Sequence, residues 1–318
     1  MKMIVLDGHT LNPGDQDWDG LQKLGELVLY DRTPKALVQE RCAGATVVFT
    51  NKTPIDIEME NLPMLKYIGV LATGYNIVDT ERAKKKGIVV TNAPGYGTDS
   101  VVQLTFALIL ELCLHVQKHS DSVSDGQWSA SPDFSFWNFP LTELSGKTLG
   151  IIGLGHIGGK VADVGAAFGM KTIASGRNHS PQPQRTDFQW QPVESLLEQS
   201  DVVSIHCPLT PDTRELIHEN NLRRMKRSAF LINTSRGPLI VEKDLANALN
   251  ADRIGGAGLD VLSQEPPPAD NPLLHAKNCI ITPHIAWATV EARRRLMQIT
   301  ICNLTSFQNG KIINCVNS

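Results

Sequence analysis

The chain has 318 residues, of which 42% are hydrophobic and 20% charged, and its formal net charge is −3. This composition is typical of an ordinary globular protein, and the length predicts about two domains. The charge balance argues against nucleic acid as a partner, because the basic runs at 84–86 and 293–295 are short and typical of solvated helix faces.

The six cysteines are scattered without a CxxC pair, which predicts reduced thiols, no zinc site and a cytoplasmic protein. The N-terminus reaches an acid at Asp7, too early for a signal peptide. The most apolar helical stretch, residues 101–116, is interrupted by Gln103, Thr105 and Glu111 and is too short to span a bilayer. We therefore expect no membrane attachment and expect this helix to be buried at a domain or subunit interface.

Short β-rich runs alternate with longer helical patterns along most of the chain. Such alternation predicts parallel sheets built from βαβ units. Two sheets are expected, one within about the first 100 residues and one that starts at Leu149. The predicted strands lie at 4–6, 47–49, 67–70 and 88–90, and then at 149–152, 171–174, 202–206, 229–232, 258–261 and 279–281.

The segment between the two predicted sheets, residues 125–140, is rich in Gly, Ser, Pro and aromatic residues. A solvated loop would not carry so many aromatic side chains, so we expect this segment to pack against a partner subunit. Its aromatic residues are Trp128, Phe134, Phe136, Trp137 and Phe139.

A glycine-rich loop follows the apolar run at 149–152. Gly153, Gly155 and Gly158 form a GxGxxG pattern, and apolar residues at helical spacing follow it. Such glycines allow a tight turn, close approach of the backbone to a pyrophosphate, and close helix–strand packing, with the diphosphate at the helix N-terminus. The pattern alone is weak evidence, but the strand before it and the helix after it favour a dinucleotide-binding loop.

Three later segments place a reactive side chain at a predicted strand end, where open α/β sheets bind ligands. Arg236 offers a planar guanidinium that can hold a carboxylate by two parallel hydrogen bonds. Glu265 precedes three prolines that stiffen its backbone. A carboxylate beside an imidazole favours the charged imidazole, which makes His284 a candidate acid–base. The alternatives are a surface salt bridge for Arg236 and a core or capping role for His284.

The order of these motifs resembles that of the D-isomer-specific 2-hydroxyacid dehydrogenase family over essentially the whole chain. The resemblance implies that Arg236, Glu265 and His284 form the catalytic trio. It also implies an α/β protein with two doubly wound parallel-sheet domains and the active site in the cleft. Residues 1–103 and 289–318 would form a flavodoxin-like substrate domain, and residues 104–288 an inserted Rossmann cofactor domain. The insertion accounts for the late position of the glycine loop.

The same resemblance implies further substrate and cofactor contacts. Substrate would meet Asn51, the backbone N–H groups of Thr73 and Gly74, which form an anion nest, and Trp287, while Trp137 would reach the pocket of the partner in a homodimer. The implied cofactor contacts are Thr98, Gly153, Gly155, His156, Ile157, Gly158, Ser175, Gly176, Arg177, Asn178, Cys207, Pro208, Thr234, Ser235, Arg236, Asp260, His284 and Ala286.

The choice between NAD and NADP depends on the end of the second cofactor strand. An NAD enzyme usually carries an acid about 20 residues past the glycine loop to bind the ribose 2′-OH. Here that position is Gly176, and Ser175, Arg177 and Asn178 offer neutral or positive donors suited to a 2′-phosphate. The sequence therefore favours NADP(H) and leaves NAD(H) open.

The sequence HIAWAT at 284–289, together with the aromatic segment 133–137, resembles the glycerate dehydrogenase and hydroxypyruvate or glyoxylate reductase branch of the family. This implies reduction of a small 2-keto acid, hydroxypyruvate to D-glycerate or glyoxylate to glycolate, with His284 as acid–base. Two alternatives remain open. One is a dehydrogenase for another 2-keto acid, and the other is a dinucleotide-sensing, corepressor-like binding protein that keeps the same trio.

Overall fold

The computed structural model describes residues 1–55, 59–177, 179–182, 184–185 and 188–318. The chain forms two compact units: Met1–Gly97 with Trp287–Ser318, and Thr98–Ala286. The sequence placed the divisions at 103/104 and 288/289 instead. The first boundary differs because residues 98–114 form one continuous helix that lies entirely in the second unit. The second boundary differs because the Trp287 ring packs edge-on against Tyr96 of the first unit, with 6.4 Å between the ring centroids.

The helices and strands alternate along the chain. The first unit begins with β1 (Lys2–Val5), α1 (Asp19–Gln22), β2 (Glu26–Leu29), α2 (Val38–Cys42), β3 (Val47–Thr50), β4 (Tyr67–Val70), α3 (Thr80–Lys85) and β5 (Val89–Thr91). The second unit holds α4 (Thr98–Leu114), α5 (Val116–Ser124), β6 (Thr148–Ile152), α6 (His156–Ala167), β7 (Lys171–Ser175), β8 (Gln189–Trp190), α7 (Val193–Gln199), β9 (Val202–Ile205), α8 (Glu219–Arg224), β10 (Phe230–Asn233), α9 (Glu242–Asn250), β11 (Gly256–Leu259) and β12 (Cys279–Ile281). The chain then returns to the first unit as α10 (Val290–Gln308).

The first unit is built on a parallel five-stranded sheet in the order β2-β1-β3-β4-β5. This order is flavodoxin-like, which agrees with the substrate domain that the family resemblance implied. The central strands β3 and β4 are buried along their whole length, as expected for a parallel sheet covered on both faces. Helix α10 covers one face, where Phe307 lies 4.9 Å from the ring of Tyr67.

The second unit is built on a parallel seven-stranded sheet in the order β12-β11-β10-β9-β6-β7-β8. The chain goes outward from β6 to β7 and β8 and then crosses to β9 on the other side, so the sheet is doubly wound, as predicted. Open sheets of this kind bind ligands at the point where the strand order reverses, beyond the carboxyl ends of the strands. In this unit that point lies between β6 and β9, directly beside the glycine loop.

Helix α4 is the apolar helix that the sequence predicted to be buried at a domain or subunit interface. Phe106, Leu108 and Ile109 are buried on it and pack in the core of the second unit. Within the described ranges, no helix by itself has the length and hydropathy of a membrane span; α4 and α5 reach both only when taken together, and they bend by 56° where they meet.

Candidate active site

The glycine loop between β6 and α6 has the form that a dinucleotide requires. Gly153 has a φ of +98°, and a Cβ there would lie 2.6 Å from the backbone nitrogen of Cys207. A Cβ on Gly158 would lie 2.2 Å from the carbonyl oxygen of Gly153. Gly155 differs, because it is exposed and a Cβ on it would meet nothing within 4 Å. Gly153 and Gly158 are therefore needed for packing, whereas Gly155 leaves open space at the surface.

That open space lies at the N-terminus of α6, which begins at His156 directly after Gly155. The first amide groups of a helix have no partner within the helix, and together with the helix dipole they favour an anion. Gly155 has no side chain that could cap them. The predicted contacts Gly155, His156 and Ile157 thus sit where a diphosphate would fit, and the residues present suit the dinucleotide.

The end of β7 carries no acidic side chain. Ser175 is buried, whereas Gly176 and Arg177 are exposed. The predicted contact Asn178 lies outside the described residues. His179, which belongs to no sequence motif, places its Nε2 atom 3.0 Å from the Gly176 carbonyl oxygen and stacks on Trp190.

The turn after β9 closes the other side of the glycine loop. Burial raises the pKa of the Cys207 thiol to about 11, so Cys207 packs against the loop as a neutral group. Burial also lowers the pKa of His206 to about 4. Its Nε2 atom lies 2.8 Å from the Ser204 hydroxyl. Pro208, a further predicted contact, follows directly in the chain.

Arg236 is presented by a turn that Asn233 organises. The Asn233 side chain donates to the Arg236 carbonyl oxygen over 2.8 Å and accepts from the Ser235 N–H over 3.0 Å. The Ser235 hydroxyl donates to the Ile205 carbonyl oxygen, which anchors the turn to β9. Thr234 is buried, with its hydroxyl oxygen 3.2 Å from that of Thr105. The Arg236 side chain itself is exposed.

Gly237 brings the Arg236 turn against the segment that carries Glu265. A Cβ at Gly237 would lie 1.9 Å from the Leu262 carbonyl carbon and 2.3 Å from the Ser263 nitrogen. Only glycine permits this approach of two backbones. The glycine of the TSRGP sequence at 234–238 therefore sets the spacing between the arginine and glutamate segments.

Glu265 and His284 are joined by a short hydrogen bond. Atom Nδ1 of His284 lies 2.6 Å from Oε2 of Glu265. The other carboxylate oxygen accepts from the Leu262 N–H over 3.2 Å. Both side chains are half-buried. Because Nδ1 is engaged, a proton exchanged with a reacting group would have to pass through Nε2.

Asp260 shapes the turn on which His284 lies. His284 has a left-handed backbone with φ +55°, and its N–H donates to the Asp260 carbonyl oxygen. The Asp260 carboxylate accepts from the Thr282 hydroxyl, the Ile285 N–H and the Ala286 N–H at 2.6–2.9 Å. Burial raises the pKa of this carboxyl, and those hydrogen bonds oppose the shift. Asp260 and Ala286, which were predicted as cofactor contacts, are thus joined by a hydrogen bond.

Thr98 stands at the first position of α4. Two positions further along that helix, the Ser100 hydroxyl donates to the Ala286 carbonyl oxygen over 2.5 Å. The start of α4 is therefore tied to the end of the histidine turn inside the second unit.

In the first unit, Asn51 is held by Asp7, an acid that no sequence motif marks. Asp7 accepts hydrogen bonds from the backbone N–H groups of Asn51, Lys52 and Thr53 at 2.6–2.7 Å. The Asn51 side chain donates to the Leu71 carbonyl oxygen over 2.5 Å. The sequence indicates this role only by an acid two residues after an apolar strand, because the residues that Asp7 binds lie far along the chain.

The predicted anion turn and the predicted pocket tryptophan also lie in the first unit. Thr73 is exposed and its hydroxyl donates to the Ala93 carbonyl oxygen over 3.0 Å, and Gly74 follows it in the turn. Trp287 is held against Tyr96.

Trp137, the predicted contact to a partner, lies on the surface of the second unit. Its side chain is 66% exposed, that of Phe134 is 90% exposed and that of Trp128 is 52% exposed. The Trp128 indole N–H donates to the Phe134 carbonyl oxygen, so the segment is folded on itself while its aromatic faces stay uncovered.

A doubly wound sheet with a dinucleotide loop, an arginine and a paired histidine along the same edge defines an NAD(P)-dependent dehydrogenase. Residues 106–286 match the family model described as D-isomer specific 2-hydroxyacid dehydrogenase, NAD binding domain. The chain belongs to the D-isomer specific 2-hydroxyacid dehydrogenase family.

Relatives and solved structures agree with this assignment. The chain is 50% identical to a hydroxypyruvate reductase of Blautia hydrogenotrophica, over 100% of both chains. It is similar to the structure of a D-lactate dehydrogenase from Aquifex aeolicus complexed with NAD and lactic acid, with a TM-score of 0.86, 29% identity and coverage of 100% of this chain and 99% of that one. It is also similar to an NADPH-dependent glyoxylate/hydroxypyruvate reductase from Sinorhizobium meliloti, with a TM-score of 0.84, 28% identity and coverage of 99% and 97%.

The glycine loop generates a test with matched variants. Gly155→Ala adds a methyl group to open space, so we expect the melting temperature to stay within about 2 °C of wild type. The same methyl group would intrude on a diphosphate bound at this helix N-terminus, so we expect the KM for dinucleotide to rise about tenfold or more. Thermal unfolding and initial rates at varied cofactor concentration measure the two effects.

Two neighbouring glycines calibrate that result. Gly158→Ala should lower the melting temperature, because its Cβ meets the Gly153 carbonyl oxygen. Gly159→Ala, whose Cβ makes only an ordinary 3.5 Å contact with Arg185, should leave both fold and cofactor KM intact. An unchanged cofactor KM in Gly155→Ala would show that the diphosphate binds elsewhere.

Proposed function

We propose that this protein reduces a small 2-keto acid to the 2-hydroxy acid, with hydroxypyruvate to D-glycerate and glyoxylate to the achiral glycolate as its preferred reactions. The observation that carries the proposal is the 2.6 Å contact between His284 and Glu265, on the sheet edge that also presents Arg236. An acid–base pair beside a carboxylate-binding cation is the arrangement that reduction of a 2-keto acid requires.

Each member of the trio has one task in the proposed mechanism. Arg236 binds the substrate carboxylate through two parallel hydrogen bonds. Atom Nε2 of His284 donates a proton to the carbonyl oxygen as that oxygen gains negative charge. Glu265 accepts the hydrogen bond from Nδ1–H, which fixes the tautomer and the orientation of the imidazole. In the oxidative direction His284 is neutral and accepts the proton.

The dinucleotide supplies the hydride when it is bound. The loop Gly153–Gly158 would hold its diphosphate, and the residues at the ends of β7, β9, β10 and β11 would hold the rest. Those residues are Ser175, Gly176, Arg177, Cys207, Pro208, Thr234, Ser235 and Asp260, together with Thr98 and Ala286.

In the first unit we assign substrate binding to Asn51, to the backbone N–H groups of Thr73 and Gly74, and to Trp287. The Thr73–Gly74 turn would receive the carboxylate, since exposed N–H groups in a turn bind anions. The large Trp287 ring favours small substrates. The hydroxypyruvate reductase relative and the glyoxylate/hydroxypyruvate reductase structure support this substrate class.

Other 2-keto acids are the second candidate, favoured by the likeness to a D-lactate dehydrogenase. A dinucleotide-sensing binding protein is the third. Initial rates with hydroxypyruvate, glyoxylate, pyruvate and phenylpyruvate distinguish the three. We expect the highest kcat/KM with hydroxypyruvate or glyoxylate, whereas a preference for pyruvate supports the second candidate and no turnover with any keto acid supports the third.

The trio is tested in the same assay by removing the proton donor. His284→Asn should lower kcat by about 10²–10⁴-fold, the usual contribution of general acid–base catalysis. His275→Asn changes an exposed histidine of the same unit and should leave kcat within twofold of wild type, since surface changes away from a site have small effects. A His284→Asn variant with normal kcat would exclude His284 as the acid.

We also propose a preference for NADPH over NADH. It is supported by the exposed Arg177 and by the lack of an acid at residue 176, where an NAD enzyme usually places one. An arginine pairs well with a 2′-phosphate, which only NADPH carries.

Arg177→Ala should raise the KM for NADPH about tenfold and leave the KM for NADH within twofold, because the lost interaction is charge-assisted. Lys171→Ala is the matched control, since it removes an exposed cation from the opposite end of the same strand. A wild-type protein with the lower KM for NADH would overturn the preference.

We further propose a homodimer in which Trp137 enters the substrate pocket of the partner subunit. The exposed aromatic side chains of residues 128–137 support an intermolecular contact, because monomers rarely leave such patches uncovered. Helices α4 and α6 also border an apolar groove of about 590 Å³, lined by residues that include Val102, Phe106 and Phe168. A cytoplasmic location is consistent with six free cysteines.

Trp137→Ala should raise the KM for the keto acid about fivefold or more, since a buried aromatic contact is lost from the pocket. Trp128→Ala, a change to a second exposed tryptophan, should not change this KM. Mixing Trp137→Ala subunits with inactive His284→Asn subunits should restore a normal KM, because the partner supplies the missing ring. A monomer in sedimentation analysis, or an unchanged KM, contradicts the proposal.

A further inference from the structure

Two asparagines connect helix α10 to the turn at Thr73. The side-chain nitrogen of Asn303 on α10 donates to the carbonyl oxygen of Asn92 over 2.9 Å. The side-chain nitrogen of Asn92 donates in turn to the carbonyl oxygen of Thr73 over 2.7 Å. Asn303 is only 2% exposed. A buried amide therefore lies two hydrogen bonds away from an exposed turn.

The chain of hydrogen bonds continues to the C-terminal segment. The side-chain nitrogen of Asn314 donates to Oδ1 of Asn303 over 2.8 Å. Both polar atoms of the Asn303 amide are thus used, and rotating the amide by 180° would break both bonds. The Asn314 carbonyl oxygen also accepts from the Asn92 N–H over 3.2 Å, so Asn314 binds both Asn92 and Asn303.

The turn at Thr73 is tied mainly to the segment that follows β5. Besides the bond from Asn92, the Thr73 hydroxyl donates to the Ala93 carbonyl oxygen, and the Ala93 N–H donates to the Ala72 carbonyl oxygen over 3.0 Å. Thr73 is exposed and fills no core position. The direction of its N–H groups thus depends on where residues 92–93 lie.

We infer that Asn303 is a positioning residue for substrate recognition: through Asn92 it fixes the orientation of the Thr73–Gly74 turn and thereby the affinity for the substrate carboxylate. The inference rests on the proposed function, in which that turn receives the carboxylate. Asn303 is buried, so it would act through Asn92 and not by contact with substrate or cofactor. Its effect is on binding, because an N–H nest contacts the carboxylate equally before and during the reaction.

The first test replaces Asn303 by an isostere. Asn303→Asp keeps the size of the side chain and the acceptor for Asn314, but it removes the donor to Asn92. We expect the KM for the keto acid to rise about fivefold, the effect of one lost hydrogen bond, with kcat within twofold and the KM for NADPH unchanged. Asn92→Asp should raise the KM for the keto acid by a similar factor. The double variant should have a KM no higher than either single variant, since both substitutions break the same series of hydrogen bonds.

A matched control lies in the same C-terminal segment. Asn317 donates to the Ile88 carbonyl oxygen and accepts from the Val90 N–H, so it also fastens this segment to β5, but without a bond to Asn92 or Asn303. Asn317→Ala should lower the melting temperature and leave the KM for keto acid unchanged. If Asn303→Asp also changes only the melting temperature, the role of Asn303 is structural and the inference fails.

A second variant and a binding measurement keep the test independent of stability and turnover. Asn314→Gly removes one amide and tolerates the φ of +52° at that position, and it should raise the keto-acid KM in the same direction. Calorimetric binding of oxalate, a dicarboxylate, should weaken in parallel with KM. If the wild type turns over no keto acid but Asn303→Asp weakens oxalate binding, the proposed function fails and the positioning role stands. Equal oxalate affinity in both proteins overturns the inference.

Discussion

In a parallel sheet the carboxyl ends of all strands lie along one edge, so residues far apart in the chain meet wherever neighbouring strands end. In the second unit β10, β11 and β12 are neighbours, and the segments after them carry the trio Arg236, Glu265 and His284. The backbone hydrogen bonds between neighbouring strands continue past the strand ends. The Asp260 N–H donates to the Asn233 carbonyl oxygen, and the Thr282 N–H donates to the Leu259 carbonyl oxygen. The segments with the reactive groups are therefore extensions of the sheet, which fixes their spacing.

The backbone conformation of His284 costs free energy, and hydrogen bonds from the surrounding groups offset that cost. A left-handed backbone at a residue with a Cβ is unfavourable by about 1–2 kcal/mol, and burial of the Asp260 carboxylate adds a desolvation penalty. The three donors on that carboxylate and the bond from the His284 N–H to the Asp260 carbonyl oxygen compensate. An imidazole fixed in this way needs little reorganisation before it exchanges a proton, which is how a fixed polar site favours proton transfer.

The sequence was sufficient for the parts of the molecule that depend on local pattern. Strand and helix alternation predicted both parallel sheets, and glycine spacing predicted the dinucleotide loop. It missed β2, a partly exposed edge strand, and the two-residue β8, because neither has a distinctive apolar pattern. The structure brings Glu265 and His284 into direct contact, while the ligand roles of the selected residues stay predictions.

What the sequence could not supply were the hydrogen bonds between groups that lie far apart in the chain. Asp7 meets the backbone at 51–53, Asp260 meets the backbone at 285–286, and Asn303 meets Asn92. No spacing rule identifies such pairs, since the fold alone brings them together. The domain boundary was likewise displaced because local pattern does not show which sheet a connecting helix packs on.

The order of the two units along the chain also sets the order in which they can be completed during synthesis. The second unit is one continuous segment, whereas the first needs α10, which arrives after the whole of the second unit. Until then the ring of Tyr67, which packs against Phe307, and its neighbours on that face of the first sheet have no cover. The nascent chain thus carries an uncovered apolar surface on the incomplete first unit after the whole second unit has been synthesised, and α10 determines when that surface is protected from aggregation.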